Sequence, residues 1–138
     1  MKTKIMKKSP LIIMGLGLLL VFLGGFTNWQ GEPWEVPDNY QKMKNPIASD
    51  DNSISIGKAL YSKHCKSCHG KEGLGDGPKS EQLDTPSGDF TTDESHAQSD
   101  GSLFYKTREG RDDMPTFKKK IPLDEDVWHL VNYMRTLE

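Results

Sequence analysis

Five consecutive residues constrain this chain more than any others: Cys65-Lys66-Ser67-Cys68-His69. Two cysteines separated by two residues, with a histidine directly after the second, form the pattern of a covalent c-type haem site. On that reading the two thiols add across the two vinyl groups of the haem as thioethers, and His69 ligates the iron through one ring nitrogen. The two-residue gap sets the sulfurs far enough apart for two vinyls, and a histidine adjoining Cys68 has no route away from the metal. The chain has two cysteines in all, so the motif uses both. A zinc site asks for about four ligands, usually with a second Cys or His pair at motif spacing. There is no second cysteine pair, and His64, His96 and His129 do not form the histidine pair that would complete one. A thioredoxin-type dithiol follows a strand in a βαβ unit, whereas residues 56–64 read as helix. A plain disulfide across so short a loop is the remaining alternative to haem.

The chain also carries an address. Lys2, Lys4, Lys7 and Lys8 precede an apolar run of 16 residues, 11–26. A basic stretch ahead of an apolar one directs a chain to a membrane and exports its C-terminal part, with the lysines left on the cytoplasmic side. Export agrees with covalent haem attachment, which is expected outside the cytoplasm in bacteria. Residues 23–26 put large side chains where a small-residue cleavage site is wanted, and no cysteine lies close enough after the run for a lipoprotein signal. A spanning helix needs about 20 residues, with about 17 as the lower end. Counting on to Trp29 gives 19, and Trp29 and Trp34 suit a membrane–water interface. Residues 1–28 are therefore expected as an uncleaved N-terminal apolar helix that anchors the chain at the outer, periplasmic face of the cytoplasmic membrane. The alternative is a signal that is cleaved to leave a soluble periplasmic protein.

Without residues 1–28 the chain has 14 basic and 20 acidic side chains, a net charge of −6. An acidic body argues against nucleic acid as a partner. It says little about a redox partner, which reads a local patch. Residues 29–50, punctuated by Gly31, Pro33, Pro37 and Pro46, show neither helical nor strand period and read as a linker. The domain proper is expected at 51–138. That is small for a self-sufficient core, and a covalent haem would supply the missing apolar mass.

Within the domain a first helix is expected from near Ser53, capped by that residue. Ile56 and Leu60 share one face and Gly57 and Tyr61 another, and the helix runs into the cysteine motif. A glycine inside a helix costs about 1 kcal/mol relative to alanine, so Gly57 implies another helix crossing closely. Four glycines in residues 70–77 rule out regular structure there. The loop is expected to wrap the haem edge behind His69, with the Pro78 carbonyl accepting the free N–H of His69 and fixing its tautomer. Residues 81–99 read as loop with at most a helical turn, and His96 within them as a solvated histidine. Asp100 is expected to cap a helix with Leu103, Phe104 and Thr107 on its inner face, ended by Gly110.

Met114-Pro115-Thr116-Phe117 comes next, in a polar loop. A methionine there, beside a stiffening proline, is oddly placed for core filling, and its soft thioether suits haem iron. His/Met ligation raises the reduction potential in cytochromes c. Met134 sits at helical spacing and reads as core, and Met43 lies in the linker. Lys118, Lys119 and Lys120, with Arg108 and Arg111, form a basic run that is usually just solvated surface. Beside the expected ligand loop it is also a candidate docking patch for a partner. The last helix opens with acidic residues at 124–126, where the helix dipole favours them. Val127, Leu130, Val131 and Met134 then fall on one stripe that Leu137 extends.

Residues 53–137 resemble a class I, monohaem c-type cytochrome. The resemblance rests on Gly57 and Tyr61 ahead of Cys65, Cys68 and His69, the Gly-Asp-Gly-Pro turn at 75–78, Ser99-Asp100-Gly101, Gly110, Met114-Pro115-x-Phe117, and Leu130 with Tyr133 in a final helix. It implies an all-α fold of a few helices wrapped around one covalent haem c, first and last helices crossing at the glycine and aromatic residues, and iron held between His69 and Met114. The function it implies is electron transfer between redox protein partners in a respiratory or other redox chain, with no position left for substrate and no catalytic residues. Two alternatives are a haem-bearing subunit of a membrane oxidoreductase complex, and a gas-binding or peroxidatic haem protein with an open sixth site.

Overall fold

The computed structural model of the chain describes residues 33–138, and among these every regular element is helical. The apolar segment expected as a membrane anchor, residues 1–28, lies outside the described residues. Among the described residues no helix is long and apolar enough to cross a membrane. Residues Glu35–Glu138 make one compact unit. Its helices are α1 (Asp38–Gln41), α2 (Asp51–His64), α3 (Lys66–His69), α4 (Asp93–Ala97), α5 (Asp100–Glu109) and α6 (Asp124–Met134), with a 3₁₀ turn at Ser80–Gln82.

The apolar stripe expected in the last helix understates its burial. Every residue of α6 from Val127 through Met134 is buried, so the helix is sheathed on several sides. The tightest neighbour is α2. A Cβ built on Gly57 would run into the backbone carbonyl of His129 and lie 2.7 Å from the Tyr133 Cβ. The missing side chain is what lets the two backbones meet. One turn along α2, the Tyr61 ring packs on Tyr133, with centroids 5.2 Å apart. Burial raises the Tyr61 hydroxyl well above its usual pKa, so it stays protonated and donates to the Gly70 carbonyl at 2.9 Å. The helix crossing and the loop behind the cysteine motif are thereby joined through one side chain. On the other flank of α6, Trp128 stacks on Phe104 of α5, centroids 4.2 Å apart.

Two helix starts differ from expectation. Helix α2 is capped by Asp50, whose carboxylate accepts from the Ser53 N–H at 2.8 Å. Ser53 is instead buried in the core face, its hydroxyl 2.7 Å from His129 Nδ1 and accepting from Asn132 Nδ2 at 2.8 Å. A carboxylate three residues ahead of the amide competed for the same cap and freed the serine for the interior. Helix α5 is capped by Ser99, which accepts from the Ser102 N–H, with Asp100 in the first turn. Asp100 binds Arg135 beyond the end of α6, at 2.8 Å from Nη2.

The stretch read as linker is, from Glu35 on, part of the compact unit. Tyr40 packs on Phe104 and Tyr105. A side chain on Gly101 of α5 would strike the Tyr40 carbonyl and lie 2.8 Å from the Met43 Cβ, so this glycine also serves a close backbone approach. Asn45 donates to the Trp128 carbonyl at 3.1 Å and to Asn132 Oδ1 at 2.8 Å, and Asn132 donates to the carbonyls of Ile47 and Ala48. The segment has no period because it is held by such polar contacts and not by an apolar stripe. Residues 81–99 are mostly loop, with α4 capped by Thr92.

Gly57→Val will lower the unfolding free energy by about 1–3 kcal/mol, the cost of overpacking a tight contact. Lys58→Ala, one residue on and exposed, will stay within about 0.5 kcal/mol of the unaltered protein. Guanidinium unfolding monitored by helix circular dichroism measures both.

Candidate haem site

The motif folds as the hinge between two helices. Helix α2 ends at His64, Cys65 caps it, and α3 consists of four residues, Lys66–His69. Both thiols and the imidazole are thus carried on little more than one helical turn, closed by the Cys68 and His69 amides donating to the Cys65 carbonyl. Neither cysteine is in a disulfide. Cys65 is buried, and burial, reinforced by Cys68, pushes its thiol up to about 12. Cys68 is half-buried. Among the described residues no three His, Cys, Asp or Glu side chains are grouped to hold a metal ion by themselves.

The glycine-rich loop returns onto this turn. Gly75 N–H donates to the His69 carbonyl at 2.9 Å, Gly77 N–H to the Cys68 carbonyl at 3.1 Å, and Lys79 N–H to the Ser67 carbonyl at 2.9 Å. The loop satisfies the open carbonyls at the end of α3, which a four-residue helix cannot pair internally. Its backbone is spent on those carbonyls. Pro78 itself is exposed. His69 Nδ1 is sealed from solvent and has no hydrogen-bond partner, so the expected contact from the Pro78 carbonyl is not formed. The ring is faced by a different loop. Phe90 stacks on it with centroids 4.5 Å apart and planes at 21°, and the backbone of Gly88 and Ser87 lies alongside. Burial lowers the His69 pKa to about 4, against the opposing pull of those two backbone groups. The imidazole is therefore neutral at ordinary pH, the form that can donate a lone pair to a metal. Residues 87–90 were missed from sequence because a Ser-Gly-Asp-Phe stretch has no spacing that ties it to a histidine 18 or more residues earlier.

Met114 stands at the end of a tight turn. Arg111 N–H donates to the Met114 carbonyl and Met114 N–H to the Arg111 carbonyl, both at 2.9 Å. The two residues between are Asp112, in the left-handed region at φ 52°, and Asp113. Met114 is partly buried and packs against the hydrophobic core, whereas Met134 is fully within it and Met43 is about one-third exposed, at 36%. His96 is not simply solvated. It is half-buried and its Nε2 lies 2.9 Å from the Leu137 carbonyl, which gives it a partner at the C-terminus. Of the basic run, Lys118 pairs with Glu109 at 2.7 Å and Arg108 with Asp124 at 3.0 Å. Lys120 lies over the Phe117 ring, 5.7 Å from its centroid.

These residues fit a covalent haem. Two uncrosslinked thiols and a neutral imidazole share one turn, the buried Nδ1 still lacks the partner a ligating histidine usually has, and a thioether is available on a stiff turn at the edge of the core. Cys65→Ser will leave a single thioether, read as a red-shifted reduced band in alkaline pyridine. In the unaltered protein the haem will stay with the polypeptide through acid–acetone extraction.

The sequence profile of the family described as cytochrome C oxidase, cbb3-type, subunit III matches residues 52–134. Among solved structures, a chain of the reducing HAO-like protein complex of Kuenenia stuttgartiensis is similar, with a TM-score of 0.61 and 26% identity over 79% of this chain and 52% of that one. The present chain thus spans about half the length of that relative. No curated protein sequence matches. The chain belongs to the c-type cytochrome family described as cytochrome c oxidase, cbb3-type, subunit III, whose cytochrome c domain transfers electrons on a covalently bound haem c.

Proposed function

We propose that the haem is attached through Cys65 and Cys68, that His69 and Met114 are its axial ligands, and that the chain passes single electrons between protein partners at the outer face of a membrane. The ligand assignment is supported by a buried imidazole whose Nδ1 has no hydrogen-bond partner, together with a methionine on a turn fixed by two reciprocal backbone bonds. Haem supplies the one-electron Fe(III)/Fe(II) couple. The chain's own contribution is to hold both ligands in place in either oxidation state, so that little structure changes as the electron arrives. The loop 70–78, Pro78 included, would border the haem edge behind His69. Thioether ligation raises the potential. Met114→Ala will abolish the weak near-infrared sulfur-to-iron band of the ferric protein and lower the reduction potential by on the order of 0.1–0.3 V. A high-spin spectrum in the unaltered protein, or one that Met114→Ala leaves unchanged, refutes the assignment.

Residues 1–28 support an uncleaved anchor, on the strength of four lysines ahead of 16 apolar residues. A second reading, a fixed subunit of a membrane oxidoreductase, is supported by the neighbouring solved structure, which is part of a complex. Mild detergent extraction will bring down the chain together with a second redox protein if it is a subunit, and alone if it is a free carrier.

A further inference from the structure

Residues 85–90 touch both sides of the proposed site. On the His69 side, Phe90 stacks on the imidazole, and its own N–H donates to the Gly73 carbonyl at 2.7 Å. The backbone of Ser87 and Gly88 faces the same ring. On the Met114 side, the Thr85 N–H donates to the Asp113 carboxylate at 2.8 Å, a contact between residues 28 apart in sequence. Asp113 directly precedes Met114 and occupies the second corner of the turn that the Arg111–Met114 bonds close. The far end of the turn is held separately, by the Thr116 hydroxyl donating to the Arg108 carbonyl at 2.7 Å.

On the His69/Met114 ligation proposed above, we propose that Asp113 is a positioning residue for the sixth ligand. Its carboxylate ties the Met114 turn to the loop that holds His69, so that one segment sets the spacing of both ligands. The tie is a single hydrogen bond from a backbone amide, modest in strength because the carboxylate is exposed. It matters because it acts on a weak bond, that of a soft thioether to ferric iron. A turn that is stiff within itself but loose against the 85–90 loop would swing Met114 away as a unit.

The test is imidazole binding to the ferric holoprotein, since imidazole competes with Met114 for the iron. Asp113→Ala will raise the imidazole affinity about three- to tenfold. It will also lose the sulfur-to-iron band at a lower guanidinium concentration than the helix signal. Asp113→Asn keeps an oxygen that can accept from Thr85, and will stay within about twofold of the unaltered protein. Unchanged imidazole affinity in Asp113→Ala overturns the proposal. So does an equal effect of Asp113→Asn, which would point to charge and not to the tie, or a band that is lost only together with the helix signal. If the unaltered protein has no sulfur-to-iron band, the His/Met ligation and the role of Asp113 fall together. If the band is present, vanishes in Met114→Ala and is indifferent to Asp113→Ala, the ligation stands and the role of Asp113 alone is removed.

Discussion

The close crossing of α2 on α6 is the contact from which the rest of the unit is hung. It exists because position 57 has no side chain, which brings the two backbones together where His129 and Tyr133 pass. With α2 fixed there, its last turn points the Cys65–His69 hinge in one direction, and Tyr61 carries the constraint past the hinge by bonding the Gly70 carbonyl. The crossing therefore fixes where both thiols and the imidazole stand, although none of them lies in it. A fold of this size cannot rely on a large core. It relies on putting its closest contact next to the turn proposed to attach the cofactor.

Around that crossing the structure uses polar bonds where an apolar stripe is lacking. Asn132 lies on the buried length of α6 and reaches Ser53, Ile47, Ala48 and Asn45. A buried amide left unpaired would cost about 1–3 kcal/mol, so the contacts come as a set, and the set holds the segment ahead of α2 against the core. Arg135 does the same at the other end, binding Asp100 and the carbonyls of His96 and Gln98. Arg108 bridges the end of α5 to the Ile121 carbonyl and to Asp124 at the start of α6.

How far the fold was legible in the sequence depended on range. The cysteine motif, the glycine at 57 and the α6 stripe are local patterns or helical periods, and each folds as its spacing implies. The choice of cap at Asp50 over Ser53 turned on which of two good acceptors the interior needed, and burial of Ser53 against His129 is a contact 76 residues away. The same holds for the His69 ring. Its sequence neighbours at 70–78 are occupied with the carbonyls of α3, and the group that packs on it, Phe90, arrives from a polar loop with no period to announce it. Within the stretch 29–50 read as a linker, residues 35–50 belong to the compact unit for a related reason: prolines remove regular structure without removing the ability to pack.

The loop from 70 to 99 therefore has a purpose that its composition hides. An electron carrier gains from ligands that do not move when the iron charge changes, and the two proposed ligands, His69 and Met114, 45 residues apart in sequence, can be kept at a fixed separation only by something that touches both. Helices alone do not do this here, because His69 ends a four-residue helix and Met114 lies outside any helix. The 85–90 loop reaches from the imidazole to the turn that bears the thioether. The loop is bonded at its two ends, to Gly73 and to Asp113, so under the proposed ligation these cross-links between loops would add to the helix crossing in setting the separation of the two ligands.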